Sequence, residues 1–219
     1  IEGGFRINSA NLLVGSSGGG KTIFAVQFLI EGIIKGETCL YITFEEKREE
    51  FYANMLELGW DLEKLESDGK FVFLEYTPEK VRTMINEGGG MIESIVLSKK
   101  ISRIVIDSIT SFELLFEEDI KKREASLSLF GIIRKWDCSS LLTYESEPSM
   151  DLKGATSSLE FESDSIILMY YVRDKKERKR YIEVLKMRGT RHSRKIFEFS
   201  IDKNGISVNK KPTTDIIKT

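Results

Sequence analysis

The run Val14-Gly15-Ser16-Ser17-Gly18-Gly19-Gly20-Lys21-Thr22 satisfies the pattern G-x-x-x-x-G-K-[ST] at every specified position. A loop that wraps a triphosphate must turn tightly and aim several backbone N–H groups inward. Glycines permit the φ values and close approaches that a Cβ would forbid. Lys21 then supplies a point charge to the β- and γ-phosphates, and Thr22 offers a hydroxyl to Mg²⁺. The nucleotide-binding stretch expected from this motif runs from Gly15 through Ile23, with ATP and Mg²⁺ as its ligands. A glycine-rich turn between a strand and a helix is the blander alternative. The agreement of strand, loop, Lys-Thr and helix weighs against it.

Two further sets of acids could act on a triphosphate. Asp107 ends the apolar run Ile104-Val105-Ile106, and a carboxylate there can hold the Mg²⁺ shell through water. Glu45 and Glu46 follow Leu40-Tyr41-Ile42-Thr43-Phe44. They could simply open the next helix, where negative charge is favourable. The functional reading is that one of them orients and deprotonates the water attacking the γ-phosphate. Successive strand residues face opposite sides, so only one of the pair is expected to point at the nucleotide, and Glu45 is the choice.

These groups need a scaffold. Ala10 to Val14 reads as a strand entering the loop. A helix follows with Thr22 near its start and Phe24, Phe28, Ile30 and Ile34 among its apolar positions, so a positive helix end faces the phosphates. Strands are expected over 38–44, 71–75, 101–107 and 139–144, and helices over 47–58 and 120–136. The stretch 78–100 is helical but interrupted at Gly88-Gly89-Gly90. Alternating strands and helices specify an α/β fold, a mostly parallel sheet flanked by helices on both faces. After residue 160 the pattern changes to strands over 165–172, 180–187, 195–201 and 206–208 with short connections, which are antiparallel additions. Ligands on such sheets sit at the carboxyl ends of the strands, where the phosphate loop, Glu45 and Asp107 all fall.

The 219 residues form one domain by the usual length prior, with a core from about residue 4 to 208 and a tail over 209–219. A hydrophobic fraction of 41% and a charged fraction of 31% suit a soluble globular protein. A net charge of −2 gives no global field toward nucleic acid or an anionic membrane, and no apolar run is long enough to span a bilayer. Ile1-Glu2-Gly3-Gly4 is no signal peptide and reads as an interior start, leaving room for a longer natural N-terminus. Cys39 and Cys138, far apart in apolar surroundings, read as reduced core residues of a cytoplasmic protein.

The phosphate loop, Leu40 to Glu46, Leu58-Gly59-Trp60-Asp61-Leu62, Ile104 to Ser108 and Lys186-Met187-Arg188-Gly189-Thr190-Arg191-His192 occur in one order and spacing. Together they resemble the KaiC family within the RecA superfamily, from Gly4 to about Val208. The Gly-Trp-Asp-Leu and Lys-Met-Arg-Gly-Thr segments are far more specific than a phosphate loop alone. The resemblance implies a RecA-like P-loop ATPase core forming a ring, usually a hexamer, with ATP between subunits. It matches the paired catalytic glutamates to Glu45 and Glu46, with Lys21 beside them. The Lys-x-Arg segment that reaches a neighbour's nucleotide matches Lys186, Met187 and Arg188, with Thr190 and His192 near the same ligand. Two positions depart from the family. Autophosphorylating members carry a Ser-Thr pair just before an Asp-Thr-Ile-Ile-like strand, whereas here Glu160 and Phe161 precede Asp164-Ser165-Ile166-Ile167. No autokinase chemistry is therefore expected. A family acid near the neighbour's nucleotide is replaced by Lys203.

Relatives of the recombinase RadA also resemble this chain, so single-stranded DNA is the alternative partner. Residues 173–195 hold eleven Lys or Arg against three acids, a basic rim that could track phosphates. Against it, residues 145–162 carry five acids and one Lys, with Phe161 the sole aromatic for stacking. A regulatory or assembly ATPase is the favoured reading.

Overall fold

A computed structural model describes residues 3–77, 80, 83, 87–146, 157–174 and 177–213. Its strands are β1 (Ala10–Gly15), β2 (Thr38–Thr43), β3 (Phe71–Glu75), β4 (Ile101–Asp107), β5 (Ser139–Glu145), β6 (Ser165–Asp174), β7 (Glu177–Met187), β8 (Phe197–Asp202) and β9 (Gly205–Val208). The helices are α1 (Lys21–Ile34), α2 (Arg48–Glu57), α3 (Leu62–Ser67), α4 (Gly90–Lys99), α5 (Ile109–Glu113), α6 (Asp119–Lys135) and α7 (Ser157–Glu162). The sheet runs β3-β2-β4-β5-β1-β6-β7-β8-β9. The strands from β3 to β6 in that order pair in parallel, and β6 through β9 pair antiparallel. This is the mostly parallel α/β sheet with C-terminal antiparallel strands that the element pattern specifies.

Strand alternation divides the core in two. Leu12, Val14, Leu40, Ile42, Ile104, Ile106 and Leu142 face the layer holding α4, α6 and α7, with Ile92, Phe130 and Leu159 against them. Leu13, Cys39, Tyr41, Val105 and Leu141 face the other layer, where Val26 and Leu29 of α1, Phe51 of α2 and Leu62 of α3 pack. Both faces of the central strands are thus covered, which is why these strands read as near-continuous apolar runs.

Several local expectations change. Of the apolar positions read into α1, Phe24, Phe28 and Ile30 pack part-buried beside the buried stripe Ala25, Val26, Leu29, Gly32 and Ile33, whereas Ile34 is exposed. Three short helices escaped the periodicity reading because five or six residues make barely more than one turn. Two of them carry a cap signal in hindsight: Asp61 accepts from the Lys64 amide and Ser108 from the Ser111 amide. The glycine run ends a turn over 87–89, and α4 starts at Gly90; most of 78–86 lies outside the described residues. Cys39 and Cys138 are both buried free thiols. Among the described residues no helix is long and apolar enough to cross a membrane.

Leu12 lies in β1 with no exposed surface. Leu12→Ala should cost about 2–5 kcal/mol, seen as a lower urea midpoint with an unchanged denaturant slope.

Candidate functional site

β1 runs straight into the glycine loop at the carboxyl end of the sheet. Gly15 packs against β6 so closely that a Cβ would sit 2.8 Å from the Met169 carbonyl oxygen. Gly20 has φ 97°, and a Cβ there would meet Ile201 Cδ1 at 2.7 Å. Ser16 closes the loop by accepting from the Gly19 amide at 3.1 Å and from Lys21 Nζ at 2.9 Å. α1 begins at Lys21, so its first free N–H groups and its positive dipole end open onto the cleft. This is a backbone cradle for an anion. The Lys21 side chain is only 9% exposed and lies 3.8 Å from Glu145 Oε2. Burial lowers its pKa, against the pull of Glu145, Asp107 and Glu45.

Asp107 is the hub beside that cradle. Val105 and Asp107 share a face by alternation, as do Tyr41 and Thr43 on β2 and Leu141 and Thr143 on β5. All of them point to the α1 side. Thr22 Oγ1 donates to Asp107 Oδ2 at 2.8 Å, and the Tyr41 hydroxyl donates to the same oxygen at 2.7 Å. Thr143 Oγ1 donates to Oδ1. Hydrogen bonds to a charged acceptor are worth roughly 1.5–3 kcal/mol each, so the carboxylate is held firmly. Burial, then Asp107, pushes the Tyr41 phenol well above its ordinary value, which keeps it a donor. A hydroxyl and a carboxylate side by side at the cleft are hard oxygen ligands, the set Mg²⁺ takes when it also binds phosphates and keeps its waters. The residues fit the ion.

Glu45 and Glu46 both line the same cleft. The expectation that only one would face it assumed strand geometry, but pairing in β2 ends at Thr43. There the chain turns, and Thr43 Oγ1 accepts from the Glu45 amide at 3.2 Å and the Glu46 amide at 3.1 Å. Alternation stops where the hydroxyl takes over the backbone. Burial, followed by the charges of Asp107, Glu45 and Glu50, raises the Glu46 carboxyl to about 7. Glu45 is raised too, by burial and then by Asp107 and Glu145. Carboxylates displaced toward neutrality suit proton transfer near physiological pH. Glu46 is the more strongly displaced of the two.

The cleft, about 340 Å³, also holds Ser17, Gly18, Gly20, Lys21, Thr22, Ile23 and Ser108. Gly15, Ser16 and Gly19 shape the loop from behind. Thr43, Ser108, Ile201 and two charged residues, Glu145 and Arg180, line the cleft without having been anticipated. Glu145 ends β5 beside Gly15, and the rule that found Asp107 would have found it. Arg180 follows from tertiary pairing. The β6–β7 hairpin continues five residues past the last β1–β6 pair, Gly15 with Met169, roughly 16 Å at about 3.3 Å per residue. That overhang carries Arg180 to the loop, where its guanidinium donates to the Gly18 carbonyl at 3.3 Å and lies 4.5 Å from the Tyr171 ring centre. Arg178 caps the same ring at 5.1 Å.

Lys186, Met187, Arg188, Thr190 and His192 are absent from this cleft. β7 runs antiparallel, so Met187 pairs with Ser165, which pairs with Asn11. The segment therefore lies at the opposite end of the sheet, four residues or roughly 13 Å along β1 from Gly15. Lys186 Nζ donates to the Ser163 carbonyl and Arg188 to the Phe161 carbonyl, at 2.8 and 2.7 Å. Met187 is buried. The Nδ1 of His192 is buried without a partner among the described residues. Lys203 sits in the turn between β8 and β9, its carbonyl near Gly59. A larger cavity of about 620 Å³ opens at the amino ends of the strands. Phe5, Phe24, Phe28 and Ile206 line it together with Gly3, Gly4, Lys35 and Arg103, but neither the glycine loop nor the start of α1 opens on it, so phosphate chemistry belongs to the smaller cleft.

A glycine cradle opening on the carboxyl edge of a parallel sheet, ringed by strand-end acids and extended by an antiparallel hairpin, defines a P-loop nucleotide-binding protein with the RecA-like fold. The family model for the KaiC ATPase matches residues 1–213, and the chain belongs to that family. It is 33% identical over 215 residues to the circadian clock protein KaiC3 of Synechocystis sp., covering 94% of this chain and 43% of that protein. It is 30% identical over 214 residues to the circadian clock oscillator protein KaiC of Synechococcus elongatus, covering 94% and 41%. The chain thus spans about two fifths of the length of these curated relatives. The crystal structure of the KaiC-like protein PH0186 from the hyperthermophilic archaeon Pyrococcus horikoshii superimposes with a TM-score of 0.85 at 35% identity, covering 95% of this chain and 93% of that one.

The folded chain holds the Glu46 proton more tightly than an unfolded chain, whose ordinary value is 4.5. That contribution to stability is complete below this value and is lost as pH rises through about 7. In nucleotide-free protein, Glu46→Gln should flatten the fall in thermal midpoint over this window.

Proposed function

We propose that this chain is an Mg²⁺-dependent ATP hydrolase acting as one domain over residues 1–219, in a ring whose nucleotides lie between subunits. The observation that carries this reading is the placement of the two motif groups at opposite ends of one sheet. The cradle and acids occupy one end, and the Lys186–His192 segment the other, too far away to serve its own cleft. A head-to-tail arrangement brings the two together and closes naturally into a ring; a hexamer is the form expected.

In that arrangement the loop amides and Lys21 hold the β- and γ-phosphates, while Thr22, and Asp107 through water, hold Mg²⁺. The ion supplies charge neutralisation across the phosphate oxygens. Glu45 and Glu46 share the task of orienting the attacking water and accepting its proton, Glu46 being better poised. Arg180 reaches the phosphate loop from the same protomer. Lys186 and Arg188 of a neighbour face the γ-oxygens where charge grows in the transition state, with Thr190 and His192 close by. Coupling hydrolysis to subunit contact makes a change of ring geometry the output, a regulatory or assembly role in a cytoplasmic setting. Glu160 and Phe161 offer no hydroxyl for autophosphorylation.

Lys21→Ala should abolish binding of a fluorescent ATP analogue. Glu45→Gln and Glu46→Gln, assayed separately, should retain binding. The variant lacking the base should lose roughly 10²–10⁴ in hydrolysis rate; full activity in both would remove the base assignment. For the shared site, Arg188→Ala protein mixed with Glu45→Gln,Glu46→Gln protein should regain partial activity in mixed rings. A mixture no better than its components would refute catalysis across the interface.

A further inference from the structure

Tyr41 is fully buried in β2 among aromatic rings, and the hydrolytic scheme gives it no part. Its ring centre lies 4.5 Å from that of Phe51 and 5.8 Å from that of Phe73. Contacts from α2 and β3 therefore fix the ring, and a phenylalanine would fill the same space. The hydroxyl has a different use. It reaches from β2 to β4, across the Thr43–Asp107 pairing, and donates to Asp107 Oδ2, the oxygen that also receives Thr22 Oγ1. Thr143 holds the other oxygen from β5. With its hydrogen directed to Asp107, Thr22 is left with its lone pairs for a cation. Removing the phenol leaves the carboxylate held by Thr22 and Thr143 alone and loosens the direction in which the Thr22 hydrogen points.

We propose that Tyr41 is a positioning residue that, with Thr143, locks the Asp107 carboxylate so that Thr22 presents its oxygen to the metal of the Mg²⁺–nucleotide. The inference rests on the Mg²⁺–ATP reading above. Outer-shell partners of this kind commonly change metal affinity by about 10–100-fold.

The test is Tyr41→Phe, which removes one oxygen and conserves the ring. Binding of a fluorescent ATP analogue is titrated with Mg²⁺ and measured again in EDTA, with the thermal midpoint of each protein recorded. The expected result is an increase of about tenfold in half-saturating Mg²⁺, with Mg²⁺-free affinity unchanged. Equal weakening with and without Mg²⁺, or an unchanged Mg²⁺ titration, would overturn the assignment, since a merely structural tyrosine gives one or the other. If Tyr41→Phe does not fold, Thr143→Val removes the opposing donor and is held to the same two outcomes. Wild-type protein whose nucleotide binding ignores Mg²⁺ would sink the Mg²⁺–ATP reading and this inference together. A normal wild-type response with an unresponsive variant sinks this inference alone.

Discussion

The Asp107 carboxylate gathers hydroxyls from α1, β2 and β5, and the cleft is arranged around that convergence. It depends on strand register. Asp107, Tyr41, Thr43 and Thr143 meet on the α1 side only because each keeps the correct parity within its own strand. A slip of one residue in β4 would turn Asp107 into the opposite core and bring Ile106 to the cleft. The apolar neighbours prevent that slip. Ile104 and Ile106 are buried on one face and Val105 on the other, so the two-sided core that stabilises the sheet also aims its acid.

Charge is the second organising constraint. Glu45, Glu46, Asp107 and Glu145 surround Lys21 and Arg180 at one small opening, which leaves the cleft anionic before any ligand enters. Burial raises the proton affinity of both Glu45 and Glu46, and neighbouring acids add to it, Asp107 on each of them, Glu145 on Glu45, and Glu45 on Glu46. A polyphosphate entering among these acids would meet like charge, which Lys21 and Arg180 offset only in part. The β6–β7 hairpin provides some of that offset through Arg180. Its far end holds the Lys186–His192 segment on the opposite edge. One antiparallel ribbon thus presents cations at both ends of the sheet.

Much of this was readable in the chain. The glycine loop with Lys21 and Thr22, the acids at 45, 46 and 107, the parallel-then-antiparallel strand pattern and the family resemblance all rest on local spacing. Local spacing survives in any fold the chain adopts. The readings that failed were those for which neighbours decide. The alternation rule was carried past Thr43, where a side-chain hydrogen bond ends it. Helices of a single turn left too few residues for a period to register.

Sequence by itself determined the chemistry available, because a phosphate cradle needs glycines, a lysine and a helix start in direct succession, and those are adjacent along the backbone. Only the tertiary structure decided which distant groups share that cradle. Arg180 arrives through the overhang of a hairpin, Tyr41 through a buried ring packed by α2 and β3, and the Lys186–His192 segment is excluded by the reversal of β7. Such placements depend on strand order and register, which arise from packing many residues at once, and so no short stretch of sequence encodes them.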